Sequence, residues 1–318
     1  METIDRKVGE CYNKSVITIR KIQRKMLVLT NLQKNYQDKK DVVKNVSLTI
    51  PDGTIFGLVG IDGAGKTTLL RLMAGILRQD GGQVCVDGED VYENIAVKQR
   101  LFFLSEQLFY TRSMTIQGLS ELYASLYPFD KEIFQSYLGK FKLSAKMLLR
   151  NCSRGIKKQV FLSLAFAISP KYLLLDEAFD GLDTFAQMIL KQGLKELVQQ
   201  RNSVVVLSSR SLRELQDCCD IYGILQQGEL TCSNDLVGNL SDLHKFQAAF
   251  DRQVFEGDFP FLCVSFSQSG KVVRLIAKGE IDSIKTMIER MQPLFVEEIE
   301  LELEELFLGE ARFRGYLK

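Results

Sequence analysis

Thr54-Ile55-Phe56-Gly57-Leu58-Val59-Gly60-Ile61-Asp62-Gly63-Ala64-Gly65-Lys66-Thr67-Thr68-Leu69-Leu70 is the stretch on which the reading of this chain turns. Residues 54–59 are mostly apolar, preceded by the turn signal Pro51-Asp52-Gly53 and closed by Gly60, so they predict a buried strand. Gly60 to Thr67 fits G-x-x-x-x-G-K-[ST], and an apolar helix is expected from Lys66 to about Leu77. Strand, glycine-rich loop and helix in that order make a phosphate-binding loop. Gly60, Gly63 and Gly65, with Asp62 and the small Ala64 between them, let the backbone wrap a phosphate chain with its N–H groups pointing inward. The helix start at Lys66, Thr67 and Thr68 adds partial positive charge. Lys66 reaches the β and γ phosphates, and the Thr67 hydroxyl suits Mg²⁺.

Further along, Leu173-Leu174-Leu175-Asp176-Glu177 is an apolar strand ending in two carboxylates. Alone, such a pair is a helix cap or a solvated turn. Beside a phosphate loop, Asp176 becomes the Mg²⁺ carboxylate and Glu177 a general base, because parallel-sheet proteins place ligands at strand ends. Val204 to Leu207 is a continuous apolar run, typical of a parallel strand covered on both faces. Strands alternate with helices up to about residue 235, which means α/β architecture. The two motifs together point to a nucleoside triphosphate and Mg²⁺.

Composition narrows the remaining classes. At roughly 150 residues per domain, 318 residues suggest two domains. Lys plus Arg is 41 against 40 Asp plus Glu, so no global basic field attracts nucleic acid. Seven cysteines without a C-x-x-C pair suggest a reduced, cytosolic protein, and a single histidine, His244, leaves no histidine triad or zinc site. No run of about 18 apolar residues exists to span a bilayer. Residues 1–25 carry seven Lys/Arg against three Asp/Glu and no secretory apolar core; they are expected to be a poorly ordered extension or a misplaced start. Near residue 240 the pattern changes to three strands, a helix at 281–291, a strand at 294–301 and a short helix at 302–308, a small α+β domain over 240–318. Its acidic segment, Glu297 to Glu305, reads as a solvated strand face and helix start, or as a dimer or regulatory contact.

Between the two motifs lies Asn151-Cys152-Ser153-Arg154-Gly155-Ile156-Lys157-Lys158-Gln159, which resembles, in divergent form, the LSGGQ signature of the ATP-binding subunits of ABC transporters. The resemblance spans about residues 26–235. It implies an α/β P-loop NTPase cassette with a mixed sheet over residues 26–239, a helical subdomain at about 106–170, and the small C-terminal domain behind it. It also implies that Ser153 and the Gly155 backbone cap the γ-phosphate of ATP held by another subunit. Arg154 and Ile156 depart from the motif. Tyr36, 30 residues before Lys66, matches the aromatic that stacks on adenine, although a tyrosine at a strand end also packs. Glu106 stands where the family has a glutamine that senses Mg²⁺ and water, and Gly181-Leu182-Asp183 matches the loop that crosses the dimer interface. Arg210 stands where the family carries a histidine at the γ-phosphate; arginine can clamp phosphate, or it points to solvent.

What the resemblance implies is an ATP hydrolase, with Glu177, Lys66 and Arg210 catalytic, and Thr67, Glu106 and Asp176 around Mg²⁺. Two cassettes, as a homodimer or a paralogous heterodimer, sandwich ATP and power a separate transmembrane permease, in the export direction. Location on the inner face of the cell membrane and no nucleic-acid partner follow. Leu108, Phe109, Tyr110, Leu122 and Tyr123 are offered to the permease or to the core. The alternative is a soluble or regulatory ATPase of the same family with weak hydrolysis and no transport role.

Overall fold

In the computed structural model, residues 26–37, 39–215, 217–232, 243–299 and 305 are described. The expected N-terminal extension, the expected boundary at 239/240 and all but Glu305 of the expected helix at 302–308 lie outside these residues. The chain divides into two compact units, one reaching Thr231 and one starting at Cys232.

In the first unit, strands β1 (Met26–Tyr36), β2 (Lys39–Pro51), β4 (Gly81–Val86) and β5 (Glu89–Asp90) form an antiparallel sheet in the order β2-β1-β4-β5. Leu27, Leu29 and Leu32 are buried, while Thr30 and Asn31 are both exposed where the register with β2 shifts between Leu29 and Leu32. The second sheet runs β10 (Glu229–Cys232), β9 (Ile221–Gln226), β3 (Ile55–Val59), β8 (Val204–Ser209), β7 (Tyr172–Leu175), β6 (Leu101–Leu104). From β9 to β6 every pairing is parallel. β7 and β8 are buried at every position, so neither face alternates. That is why their sequences are unbroken apolar runs.

Helix α1 (Lys66–Met73) follows β3 and ends earlier than the expected Leu77. The reason is a Schellman turn: Gly75 N–H bonds Leu72 O and Ile76 N–H bonds Arg71 O. After the one-turn α2 (Ile95–Lys98) come the helices of residues 106–170, α3 (Ile116–Leu126), α4 (Lys131–Lys140) and α5 (Arg154–Ile168). Thr115, Asp130 and Ser153 cap them through backbone N–H groups one turn on. From Val160 to Ile168 α5 is buried all round, as a helix with neighbours on every side must be. Phe161 meets Tyr123 edge-on at 6.2 Å, and Phe102 meets Tyr123 and Tyr127 at 5.8 Å. Helices α6 (Thr184–Arg201) and α7 (Leu212–Leu215) lead into and out of β8.

The second unit contains β11 (Leu243–Ala249), β12 (Cys263–Ser269), β13 (Val272–Lys278), α8 (Ile281–Arg290) and β14 (Phe295–Ile299). Its strands form an antiparallel sheet in the order β12-β13-β11-β14. Phe246 and Ala248 of β11, Val273, Leu275 and Ala277 of β13, and Ile284 and Ile288 of α8 share one core. His244 lies here, with Nδ1 3.0 Å from Glu298 of β14.

Leu174, in the middle of β7, is fully buried. Leu174→Ala is expected to cost about 2–5 kcal/mol, because the close-packed sheet centre cannot collapse into the cavity. Urea unfolding should show a lower midpoint with an unchanged slope.

Candidate functional site

Four loops leave the carboxyl ends of the adjacent strands β3, β8, β7 and β6, and they carry most of the residues singled out above. Ladder-like bonds run past the strand ends and fix the loops to one another. Gly60 N–H bonds Ser209 O at 3.3 Å, Ala178 N–H bonds Ser208 O at 3.0 Å, and Asp176 N–H bonds Leu104 O at 2.9 Å. Between the loops lies a cleft of about 360 Å³, lined by residues 61–68 together with Tyr36, Val42, Glu106, Glu177 and Arg210.

Gly65 stands immediately before α1 with φ +106°, a conformation closed to a side chain. The start of α1 has no side-chain cap and no acidic residue in its first turn, unlike α3, α4, α5, α6 and α8, which are all capped by a side chain. Its N–H groups thus face the cleft with no side-chain acceptor, the arrangement that receives an anion. Lys66 is nearly buried; its Nζ donates to Gly60 O at 2.6 Å and sits 3.1 Å from Glu177 Oε1.

Behind the cleft Asp176 is fully buried. Its Oδ2 accepts from Thr67 Oγ1 at 2.8 Å and its Oδ1 from Ser208 Oγ at 2.8 Å. Ser208 Oγ in turn accepts the N–H of Glu177 at 2.8 Å. Glu177 has φ +46°, a left-handed conformation that costs a non-glycine residue about 1–2 kcal/mol. Its carbonyl is held by the Asp180 N–H at 3.2 Å and by the ammonium of Lys158. Thr67, Asp176 and Glu106 supply hard oxygen donors of the kind Mg²⁺ takes. Among the described residues no group of three or more His, Cys, Asp or Glu could hold an ion, so these donors suit an ion that draws its other ligands from phosphate and water.

Arg210 reaches over the mouth of the cleft. Its Nε is 3.1 Å from Asp62 Oδ1 and 3.6 Å from Glu177 Oε2, and these carboxylates push its pKa further up. The Tyr36 ring is partly exposed at the rim, with Lys34 Nζ 5.8 Å from its centroid. Glu106 lines the cleft but is paired with Arg154 at 2.7 Å, and the same guanidinium nitrogen is 2.6 Å from Asp180. Ser153 and Gly155 do not line the cleft. The Ser153 hydroxyl caps α5 through the Ile156 N–H at 3.3 Å. A Cβ on Gly155 would stand 2.2 Å from Gly181 O, so the signature loop and the loop after Glu177 touch backbone to backbone.

Three partners escaped the sequence reading. Ser208 had no signal beyond its place at a strand end. Lys158 is one of two adjacent lysines, and nothing in the sequence marks it as the buried one. Burial pulls its ammonium down to about 8, against the opposing pull of Asp180. The ion pairs of Arg154 depend on loops 48 and 26 residues away along the chain (154 − 106 and 180 − 154).

A glycine-rich loop opening an uncapped helix, with a buried aspartate behind its threonine, defines a P-loop nucleotide-binding protein. The model of the ABC transporter family matches residues 43–180. The ABC transporter ATP-binding protein YtrB of Bacillus subtilis is 31% identical over 295 residues, which are 91% of this chain and 99% of that protein. The lipopolysaccharide export system ATP-binding protein LptB of Haemophilus influenzae is 31% identical over 216 residues, 64% of this chain and 88% of that one. Among solved structures, a dimeric post-hydrolysis state of the ATP-binding cassette MJ0796 bound to ADP and Pi aligns with a TM-score of 0.58 at 20% identity. It covers 64% of this chain and 96% of that one, and shows the shared fold. The chain belongs to the family of ABC transporter ATP-binding proteins. It is thus an ATP-binding subunit of a family whose members are ATP hydrolases that work with transmembrane permeases.

Ser208→Ala should leave the Asp176 carboxylate and the Glu177 N–H short of a buried partner, at about 1–3 kcal/mol. Ser208→Thr, which keeps the hydroxyl, should recover much of that loss. Chemical denaturation of the three proteins measures the difference.

Proposed function

We propose that this chain hydrolyses Mg-ATP within a pair of cassettes and so drives a separate membrane permease, in the export direction. The observation that carries this reading is the meeting of Lys66, the Thr67–Asp176 pair and Glu177 at one cleft, with Ser153 and Gly155 outside it. A single cassette thus holds the phosphate cradle but not the signature that would close it, and a second cassette, identical or paralogous, supplies the missing half.

In this reading the phosphates enter over the α1 N-terminus, and Lys66 exchanges its contacts for the β and γ oxygens. Gly60, Asp62, Gly63, Ala64, Gly65 and Thr68 form the wall of the cradle. Mg²⁺, held by Thr67 and Asp176 with Glu106 nearby, would offset charge on the β and γ phosphates. Glu177, freed from Lys66, orients a water and accepts its proton while the water oxygen bonds to the γ phosphorus and the bond to the ADP oxygen breaks. Arg210 turns from Asp62 to the γ-phosphate. Guanidinium only donates, so it stabilises charge but takes no proton. Basal turnover is therefore expected to lie below the roughly 10 s⁻¹ typical of enzymes. The Tyr36 ring stacks on adenine.

The segment after Glu106 supports docking to a permease. Phe109, Leu122 and Leu126 are exposed, while Leu108, Tyr110 and Tyr123 pack against the core. Among the described residues no helix is long and apolar enough to cross a membrane, which supports a permease on a separate polypeptide with this chain attached to its inner side. The export direction is supported by the relative named for lipopolysaccharide export. A net charge of +1 supports the absence of a nucleic-acid partner.

Lys66→Ala should lose most ATP affinity, because a phosphate-bound charge disappears. Glu177→Gln should bind ATP and accumulate a closed dimer in analytical ultracentrifugation. Parental hydrolysis by Glu177→Gln would rule out Glu177 as the base.

Arg210→Ala should lower hydrolysis and leave ADP affinity nearly constant, because ADP lacks the γ-phosphate. Unchanged steady-state hydrolysis in the complex with the permease would make Arg210 a bystander.

A further inference from the structure

The side chain of Glu177 is aimed by its own backbone, and both ends of that peptide segment are held. Its N–H is fixed by Ser208 Oγ, and its carbonyl accepts from the Asp180 N–H and from Lys158 Nζ. With φ at +46° this residue is out of its preferred backbone region, and it stays there only while its neighbours over-determine it. Lys158 differs from the other two holders. It comes from α5, it carries a charge, and it is 5% exposed.

A buried ammonium is an expensive way to satisfy one carbonyl. An apolar side chain of similar length would fill the same space without the desolvation penalty, and such replacements are often neutral or stabilising. Lys158 faces Asp176, Glu177 and Asp180 on the β7 side and Arg154 one turn back on its own helix. Its charge lies beneath the acidic loop rather than in the cleft, where it could touch a phosphate. The carbonyl it holds belongs to the residue whose carboxylate sits between Lys66 and Arg210.

We propose that Lys158 is a positioning residue for hydrolysis: by donating to the Glu177 carbonyl it holds that peptide in its left-handed conformation and aims the carboxylate at the attacking water. This rests on the reading of Glu177 as the general base. Lys158 lies on the helix that Ser153 caps, three residues beyond Gly155.

The test uses the full chain with Lys158→Met, Lys158→Gln and Glu177→Gln. Lys158→Met is expected to keep or raise the thermal midpoint, to hold KM and ATP affinity within about 2-fold, and to lower kcat by about 10–100-fold, the scale of a misaimed catalytic group. Lys158→Gln restores a neutral donor and should recover part of kcat. Parental kcat in Lys158→Met overturns the proposal. So does loss of kcat together with loss of thermal stability in both variants, which would mark a structural role, and so does a glutamine variant no faster than the methionine one. If Glu177→Gln hydrolyses at the parental rate, the base assignment falls and this inference with it. If Glu177→Gln is inactive while Lys158→Met is not, only this inference falls.

Discussion

Asp176 is fully buried, and its two oxygens accept hydroxyls from opposite sides, Thr67 on α1 and Ser208 on β8. A buried carboxylate without such partners would be costly. With them it becomes the joint between the phosphate loop and the strand end that carries Glu177. Each neighbouring contact depends on it: Ser208 also receives the Glu177 N–H, and Thr67 opens the helix whose N-terminus faces the cleft. Removing that joint would loosen three loops that are otherwise tied by the backbone bonds past the strand ends and by the ion pairs of Lys66 and Arg210 with Glu177 and Asp62.

The cleft holds its own charges in pairs. Lys66 and Arg210 lie against Glu177, and Asp62 lies against Arg210. A triphosphate entering this space competes with Glu177 for Lys66 and with Asp62 for Arg210. In the proposed cycle that competition frees the Glu177 carboxylate as the γ-phosphate takes over its cations. Arg210 has a physical role in this pairing before any nucleotide binds. A permanent cation can bridge two carboxylates before nucleotide arrives, which a neutral imidazole cannot.

Helix α5 gathers several loops at its first turns. Arg154 reaches Glu106 and Asp180, Gly155 touches Gly181, and Lys158 holds Glu177. Its later turns are buried all round in the main core. A rigid, buried helix whose exposed start touches the loops after β6 and β7 is well placed to transmit small displacements between them, because close-packed interiors pass on strain rather than absorb it.

The sequence by itself determined the cassette's family and fold class. Gly60 to Thr68 fits a loop that wraps an anion, and the runs at 172–175 and 204–207 read as strands covered on both faces, since no polar residue interrupts them. It also suggested a second domain through a shift from long helices to short alternating strands near residue 240, whereas the compact units divide between Thr231 and Cys232. The tertiary structure decided what depends on distance in space. Which of Lys157 and Lys158 is buried, which carboxylates Arg154 meets, and that Ser208 links Asp176 to Glu177 follow from the order β3-β8-β7-β6, and strand order is not written in local periodicity. Arg210 marks the same divide. Its place after a strand end was legible, but its pairing with Asp62, 148 residues away, exists only because β3 and β8 lie side by side.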